Sequence, residues 1–261
     1  VAEAPILSLS DVSVVYRARG KRVTALTDAS LDIHAGETIG IVGESGSGKS
    51  TLGRVALRLR APSDGTVSYR GRPVQLLNMQ ERKRFHREVQ AVFQDPGSSL
   101  NPRKTVFASI ATGMLIHGLA PRAQLKERIS EILEMVGLTP AEKYLDRYPD
   151  ELSGGQKQRV AFARAVALEP QLIVADEALS ALDVSLQAQI LRLMVSLRER
   201  FGLGYLFISH DLESVREIAD RVLVMQGGRI VESGPPEEVF TNPRHPYTRT
   251  LLDARLTLRL N

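Results

Sequence analysis

The stretch TIGIVGESGSGKS, Thr38–Ser50, runs from a short apolar segment straight into a glycine-rich loop. TIGIVG reads as a buried strand, and the residues from Lys49 to about Leu59 read as a helix. Between them Gly43, Gly48, Lys49 and Ser50 fit the spacing G-x-x-x-x-G-K-[ST], in the strand–loop–helix context that gives this spacing its meaning. The glycines let the backbone turn tightly enough to aim N–H groups at phosphate oxygens, and the helix start adds the positive end of its dipole. In such a loop Lys49 reaches the β- and γ-phosphates as a point charge, and the Ser50 hydroxyl can coordinate Mg²⁺.

Working outward, ILSLSDVSVVYR and ALTDASLDIHAGE predict two strands before the loop, and GTVSYRGRPV predicts a hairpin after it. VQAVFQ is another buried strand. From Asp95 to about Asp150 strand-like runs stop, and Leu125, Ile129, Ile132, Leu133 and Val136 fall on one helical face, so this region reads as a helical insert punctuated by Pro121, Pro140 and Pro149. QLIVADE and GYLFISH then have the continuous apolar texture of parallel strands buried on both faces. Leu186, Ile190, Leu193, Met194 and Leu197 mark a helix between them. RVLVMQGGRI turns at Gly227–Gly228. Strands alternating with helices predict an α/β fold with a largely parallel sheet.

Composition narrows the function classes. With 34 Lys+Arg against 30 Asp+Glu, no Trp and 5% aromatics, the 261-residue chain lacks the basic, aromatic-interleaved stripe of a nucleic-acid reader, and no nucleic-acid partner is expected. It has no Cys, which excludes disulfides, thiolate metal sites and cysteine-bound iron–sulfur clusters. VAEAPILSLSDV lacks a basic start followed by an apolar run, so a secretory signal is not expected, and the apolar runs are too short to span a bilayer.

Three predicted strand ends carry polar groups suited to nucleotide chemistry. Asp176 and Glu177 close QLIVADE, at the carboxyl edge where α/β sheets bind ligands. Asp176 suits a Mg²⁺ role, directly or through water, and Glu177 is the candidate to polarise an attacking water. His210 closes YLFISH and could contact the γ-phosphate. Gln94 closes VQAVFQ and could bind Mg²⁺ or the attacking water. His34, His86, His117 and His245 show no metal-ligand spacing and read as surface or packing residues.

A second glycine-bearing helix start, LSGGQKQR at Leu152–Arg159, lies in the middle of the chain. Taken with the others, it makes nearly the whole chain resemble an ABC-transporter ATPase. GESGSGKS matches the Walker A motif of that family, LIVADE its Walker B with the catalytic glutamate, and LSGGQ its signature. VFQDP matches the Q-loop, SALD at Ser180–Asp183 the D-loop and ISHD the H-loop. The resemblance implies a P-loop NTPase (RecA-like) core with an N-terminal antiparallel β subdomain and an inserted helical subdomain. Residues 1–94 and 157–234 would form the core, 95–156 the helical subdomain with the signature, and 235–261 a C-terminal extension. It extends the ATP-binding set to Tyr16 under the adenine, to Ser45, Gly46 and Thr51 of the loop, and to Ser153, Gly154, Gly155, Gln156 and Asp183. One departure is visible: the family usually has proline after the glutamate, and this chain has Ala178 followed by Leu179.

GESGSGKSTLGR, VFQDPGSSLNPR, SALDVSLQAQIL and the tail TNPRHPYTRTLL resemble the oligopeptide/dipeptide/nickel importer subfamily, and KSTLGR with SLNPR resembles the second of its two ATPase subunits. The implied function is the ATP-hydrolysing, Mg²⁺-dependent subunit of an importer of di- or oligopeptides or a related solute, peripheral on the cytoplasmic face of the membrane. Its implied partners are a second ATPase subunit, expected as a paralogue in a head-to-tail dimer, two integral-membrane permease subunits, and an extracytoplasmic solute-binding protein reached through the complex. The rival readings are a soluble non-transport ABC ATPase, an exporter ATPase and a non-catalytic nucleotide-binding regulator. Long coiled coils, zinc-binding cysteines or a second ATPase domain would favour the first, the importer-like tail speaks against the second, and intact Glu177 and His210 speak against the third.

Overall fold

The chain divides into two units, one made of the residues up to Asn78 together with those from Gly204 onward, the other of Met79–Leu203. The computed structural model describes residues 4–18, 21–180 and 182–258. In chain order the first unit contains β1 (Leu7–Ala18), β2 (Lys21–Ile33), β3 (Thr38–Val42), α1 (Lys49–Ala56), β4 (Asp64–Tyr69) and β5 (Arg72–Pro73). The second contains α2 (Met79–Glu88), β6 (Val89–Phe93), α3 (Pro96–Ser99), α4 (Val106–His117), α5 (Leu125–Met135), α6 (Glu142–Leu145), α7 (Gly154–Val166), β7 (Leu172–Asp176) and α8 (Val184–Phe201). The chain then returns to the first unit with β8 (Gly204–Ile208), α9 (Leu212–Ile218), β9 (Arg221–Gln226), β10 (Arg229–Gly234), α10 (Pro236–Thr241) and α11 (Pro246–Leu258).

Two sheet segments build the first unit. β2, β1, β4 and β5 form an antiparallel sheet. Along β1 the inward residues Leu7, Leu9, Val12 and Val14 are buried, and the register shift between Leu9 and Val12 keeps that face inward past Asp11. β3 lies between β8 and β9, parallel to both, and β10 folds back antiparallel on β9. Every residue of β3 and β8 is buried. This is why both segments read as unbroken apolar runs rather than as alternating ones. The entry to β3 is held from β9: Thr38 N–H donates to Asp220 Oδ2 at 2.8 Å, and Arg221 pairs with Glu37 at 2.9 Å.

In the second unit β6 and β7 pair in parallel, with Phe93 opposite Asp176, and β7 is buried along its whole length. The helices between them pack largely on α7, which contacts α3, α4, α5 and β6. Ile110, Met114, Ile129, Leu133, Val160 and Phe162 fill that core. Thr105 starts α4 by accepting a 3.2 Å bond from Ala108 N–H, and Gly118 ends it in the left-handed conformation. Among the described residues no helix is long and apolar enough to cross a membrane.

Candidate functional site

The phosphate loop leaves β3 at Val42 and enters α1 at Lys49. Two of its glycines have no substitute. At Gly43 φ is +148°, and a Cβ would lie 2.3 Å from the Met225 carbonyl oxygen; at Gly48 φ is +106°, and a Cβ would lie 2.6 Å from the Ala25 carbonyl oxygen. Both the left-handed backbone and the close approach of neighbouring strands exclude a side chain. Gly48 is also the N-cap of α1 and has no side chain to offer. The first N–H groups of α1 therefore end without the serine or aspartate cap that would compete with an anion.

Lys49 is 5% exposed, and its Nζ donates to the Gly43 carbonyl at 2.8 Å and the Glu44 carbonyl at 2.7 Å. A further contact, to Ser47 Oγ at 3.5 Å, is weak enough to be exchanged for a phosphate oxygen. The ammonium is thus held under the loop, where a phosphate cradled by the loop's N–H groups would meet it. Ser50 and Thr51 follow on the first turn of α1, half-buried; Ser45 and Gly46 sit at the exposed crest of the loop.

His210 belongs to the same edge of the first unit. Ile208 of β8 is level with Ile41 of β3, so His210 and Gly43 each emerge two residues past a paired position. Ser209 N–H donates to the Ile41 carbonyl at 3.2 Å, and Asp211 caps α9 by accepting from Ser214 N–H at 3.1 Å, which leaves the His210 side chain exposed between two fixed neighbours. Tyr16 lies on β1, where the Arg60 guanidinium covers one ring face at 4.6 Å from the centroid and donates to the Val15 carbonyl at 3.1 Å. Stacking on Tyr16 is thus confined to its other face.

The second unit brings Gln94, Asp176 and Glu177 together. Phe93 and Asp176 are paired across β6 and β7, so Gln94 and Glu177 are the next residue of each strand at one edge. Asp176 is 8% exposed, whereas Gln94 is exposed and Glu177 intermediate. Glu177 has φ +50°, a left-handed conformation that costs a non-glycine residue roughly 1–2 kcal/mol. Such local strain clusters at functional sites. Departure from the family's proline does not leave the following turn loose. Ala178 and Leu179 are buried, and the N–H and hydroxyl of Ser180 both donate to the Glu177 carbonyl, at 3.1 and 2.9 Å.

The signature stretch is a helix start with its own cap. Ser153 is the N-cap of α7; its Oγ accepts from Gln156 N–H at 3.3 Å, while Gln156 Oε1 accepts from Ser153 N–H at 2.9 Å. This capping box is the [ST]-x-x-[EQ] pattern, legible in the sequence, though sequence analysis reads the stretch as a glycine-bearing helix start and as the family signature and not as a cap. Ser153 and Gly154 are exposed, and Gly155 is buried against Leu186 of α8. Downstream on α7, Arg159 donates to the Val136 carbonyl and to Gln189 Oε1, and Arg164 to the Ser99 carbonyl, which tie the helix to its neighbours. Asp183 caps α8 by accepting from Leu186 N–H at 2.9 Å.

Residues 26–180 match the family model described as ABC transporter. The chain belongs to the ABC transporter family. It is an ABC ATPase, and ATP is its nucleotide. Residues 231–260 match a second model, the oligopeptide/dipeptide transporter C-terminal region. The oligopeptide transport ATP-binding protein OppF of Bacillus subtilis is 50% identical over 236 residues, covering 89% of this chain and 76% of that protein. A Brucella ovis protein named for peptide import ATP binding is 46% identical over 254 residues, covering 97% of this chain and 80% of its own. The ABC ATPase fold is shared with the dimeric post-hydrolysis state of the cassette MJ0796 bound to ADP and Pi, at TM-score 0.79 and 30% identity over 88% of this chain and 98% of that one. CbiO1 of Clostridium perfringens aligns at TM-score 0.78 and 28% identity, covering 99% and 96%.

Proposed function

We propose that this ABC ATPase powers the import of di- or oligopeptides, or a related solute, through two separate permease subunits on whose cytoplasmic face it sits. The observation that carries this reading is the coexistence of a phosphate loop built for a nucleotide with a C-terminal segment matching the oligopeptide/dipeptide transporter model. The names of the relatives from Bacillus subtilis and Brucella ovis support it.

In this reading the loop Gly43–Thr51 holds the phosphates and Tyr16 stacks on the adenine. Glu177 takes the proton of the attacking water, and His210 contacts the γ-phosphate. Among the described residues no cluster of three or more His, Asp or Glu is disposed to hold a metal. A hydroxyl, an amide and one buried carboxylate fit Mg²⁺, which takes few protein ligands alongside substrate phosphates. Ser50, Gln94 and Asp176 would hold it, Asp176 directly or through water. Magnesium when bound would neutralise charge on the phosphate oxygens. The Ser153–Gln156 start of α7, exposed at Ser153 and Gly154, would serve the ATP held by a partner subunit, a paralogue in a head-to-tail dimer. Its Ser153 hydroxyl can accept from Gln156 N–H and still donate its proton to a phosphate. Asp183 would lie at the same dimer contact. The segment 95–156 would act as a functional subdomain of its own, with 1–94 and 157–234 as the core and 235–261 as the extension.

The test is reconstitution in liposomes with the two permeases, the second ATPase and the solute-binding protein. Peptide-stimulated ATP hydrolysis and ATP-dependent uptake are expected together, both lost with Glu177→Gln. Hydrolysis that no peptide stimulates, with no uptake and no association with permeases, would overturn the importer reading.

A further inference from the structure

The C-terminal segment reaches back to the phosphate loop. Tyr247, the second residue of α11, is only 8% exposed although it carries a hydroxyl. That hydroxyl accepts a 3.0 Å hydrogen bond from the backbone N–H of Glu44, 203 residues away in sequence. The carbonyl of the same residue accepts from Lys49 Nζ at 2.7 Å. Both backbone polar groups of Glu44 are therefore engaged, one by the loop's own lysine and the other by the C-terminal segment, while its side chain is exposed.

Tyr247 is itself held in place. The Glu232 carboxylate on β10 accepts from Arg244 N–H at 2.8 Å, from His245 N–H at 3.1 Å and from the Thr248 hydroxyl. Tyr247 N–H donates to His245 Nδ1 at 3.2 Å. One carboxylate thus pins the turn His245–Thr248 to β10. At the other end of β10 the Gly228 N–H donates to the Ser47 carbonyl at 3.0 Å. The loop is held at two points, Glu44 and Ser47, by chain that follows β9. A phenylalanine would fill the ring's space as well as a tyrosine does, so the hydroxyl is accounted for by Glu44.

We propose that Tyr247 is a positioning residue for nucleotide binding: by fixing the Glu44 peptide it sets the carbonyls that hold Lys49, and makes the loop's ATP affinity depend on the C-terminal segment. The proposal rests on the reading that Gly43–Ser50 holds the phosphates, and Lys49→Ala is the control for that reading. In the full-length chain, Tyr247→Phe is expected to keep the far-UV spectrum and melting behaviour and to weaken ATP and ADP binding alike by about 3- to 10-fold, the loss of one hydrogen bond. KM for ATP rises by the same factor while kcat stays within about twofold, a split that general loosening of the fold would not give. Hydrogen exchange at the Glu44 amide is expected to be slower than at Ser45 and Gly46 in the wild type and to accelerate in Tyr247→Phe. Unchanged affinity in Tyr247→Phe, with Lys49→Ala defective, overturns the proposal. So does rapid Glu44 exchange in the wild type, a measurement that needs no variant to fold. Normal ATP binding by Lys49→Ala would instead overturn the phosphate-loop reading and the proposal with it, even if Glu44 exchange showed the hydrogen bond itself to be real.

Discussion

Gly154→Ala tests whether a glycine is kept for a partner rather than for this chain. Among the described residues, a Cβ added at Gly154 would find only Leu182 Cδ2, at 4.0 Å, an ordinary van der Waals contact. Its φ is not in the left-handed region, and it occupies the first helical position of α7. Among the described residues nothing asks for glycine there, and alanine would favour the helix by up to about 1 kcal/mol. Gly155 is the contrast: its Cβ would press on Leu186 at 3.1 and 3.3 Å, so α7 or the leucine must give by a few tenths of an ångström. If Gly154 faces the γ-phosphate of a partner's ATP, a methyl group at the helix start stands where the phosphate must approach the N–H groups. Gly154→Ala should therefore melt no lower than the wild type and bind ATP normally as an isolated chain. In the assembled transporter its hydrolysis should fall by at least about 10-fold, the loss of roughly one charge-assisted hydrogen bond. Malachite-green phosphate release and calorimetric ATP binding measure the two halves. Wild-type hydrolysis by the assembled variant would refute the reasoning, because an exposed, unstrained glycine would then have no phosphate to admit.

Glu177→Gln keeps the shape of the strand end and should retain ATP binding, hold the closed dimer and lose at least about 100-fold in turnover, read by single-turnover hydrolysis. Lys49→Ala removes a buried ammonium bonded to two loop carbonyls and should weaken ATP binding by at least about 10-fold, checked by calorimetry. Ser153→Arg should cost α7 its cap, roughly 1 kcal/mol, leave ATP binding to the isolated chain intact and block hydrolysis in the complex. Loss of ATP binding by the isolated chain would place Ser153 at its own nucleotide. Burial works to raise the Glu232 carboxyl, but the Thr248 hydroxyl, the Arg244 and His245 N–H groups and the His245 ring outweigh it and hold the carboxyl below its ordinary 4.5. A depressed carboxyl stabilises above the unfolded value and loses that stabilisation as pH falls through the folded one. The Tyr247 ring resonances should therefore shift towards those of a released segment as pH drops below about 4.5, and Glu232→Gln should show that shift already at pH 7.

The strands that carry the site were legible because of their surroundings. TIGIV, LIVAD and GYLFI are buried residue by residue, and a strand covered on both faces writes itself as an apolar run ending where its polar residue emerges. Helix α2 left no such trace. MQERKRFHRE buries only Phe85 and Glu88, too little to make a stripe. Helix α4 failed for the opposite reason: VFASIATGMLIH is apolar nearly all round, so the insert read as helical without its boundaries. The left-handed backbone at Glu177 has no sequence sign, since no glycine marks it. The Tyr247–Glu44 contact spans most of the chain, and no local pattern encodes it.

The two glycine-bearing helix starts differ in what they leave unused, and that difference bears on why one chain carries both. α1 has glycine at its N-cap, which makes no side-chain cap, with a lysine held just below by the loop's own carbonyls, so its positive end suits an arriving anion. In the proposed reading it would hold a nucleotide whether or not a partner is present. α7 spends its third N–H on Ser153 and the serine's N–H on Gln156, so it stands as a helix without any ligand. In the proposed reading the N–H groups of Gly154 and Gly155 and the Ser153 hydroxyl proton would strengthen a γ-phosphate already held elsewhere. In the proposed dimer, a tight site and a weak one in the same chain would give affinity to the first and subunit contact to the second. Loss of the γ-phosphate would then remove the second contact and leave the first.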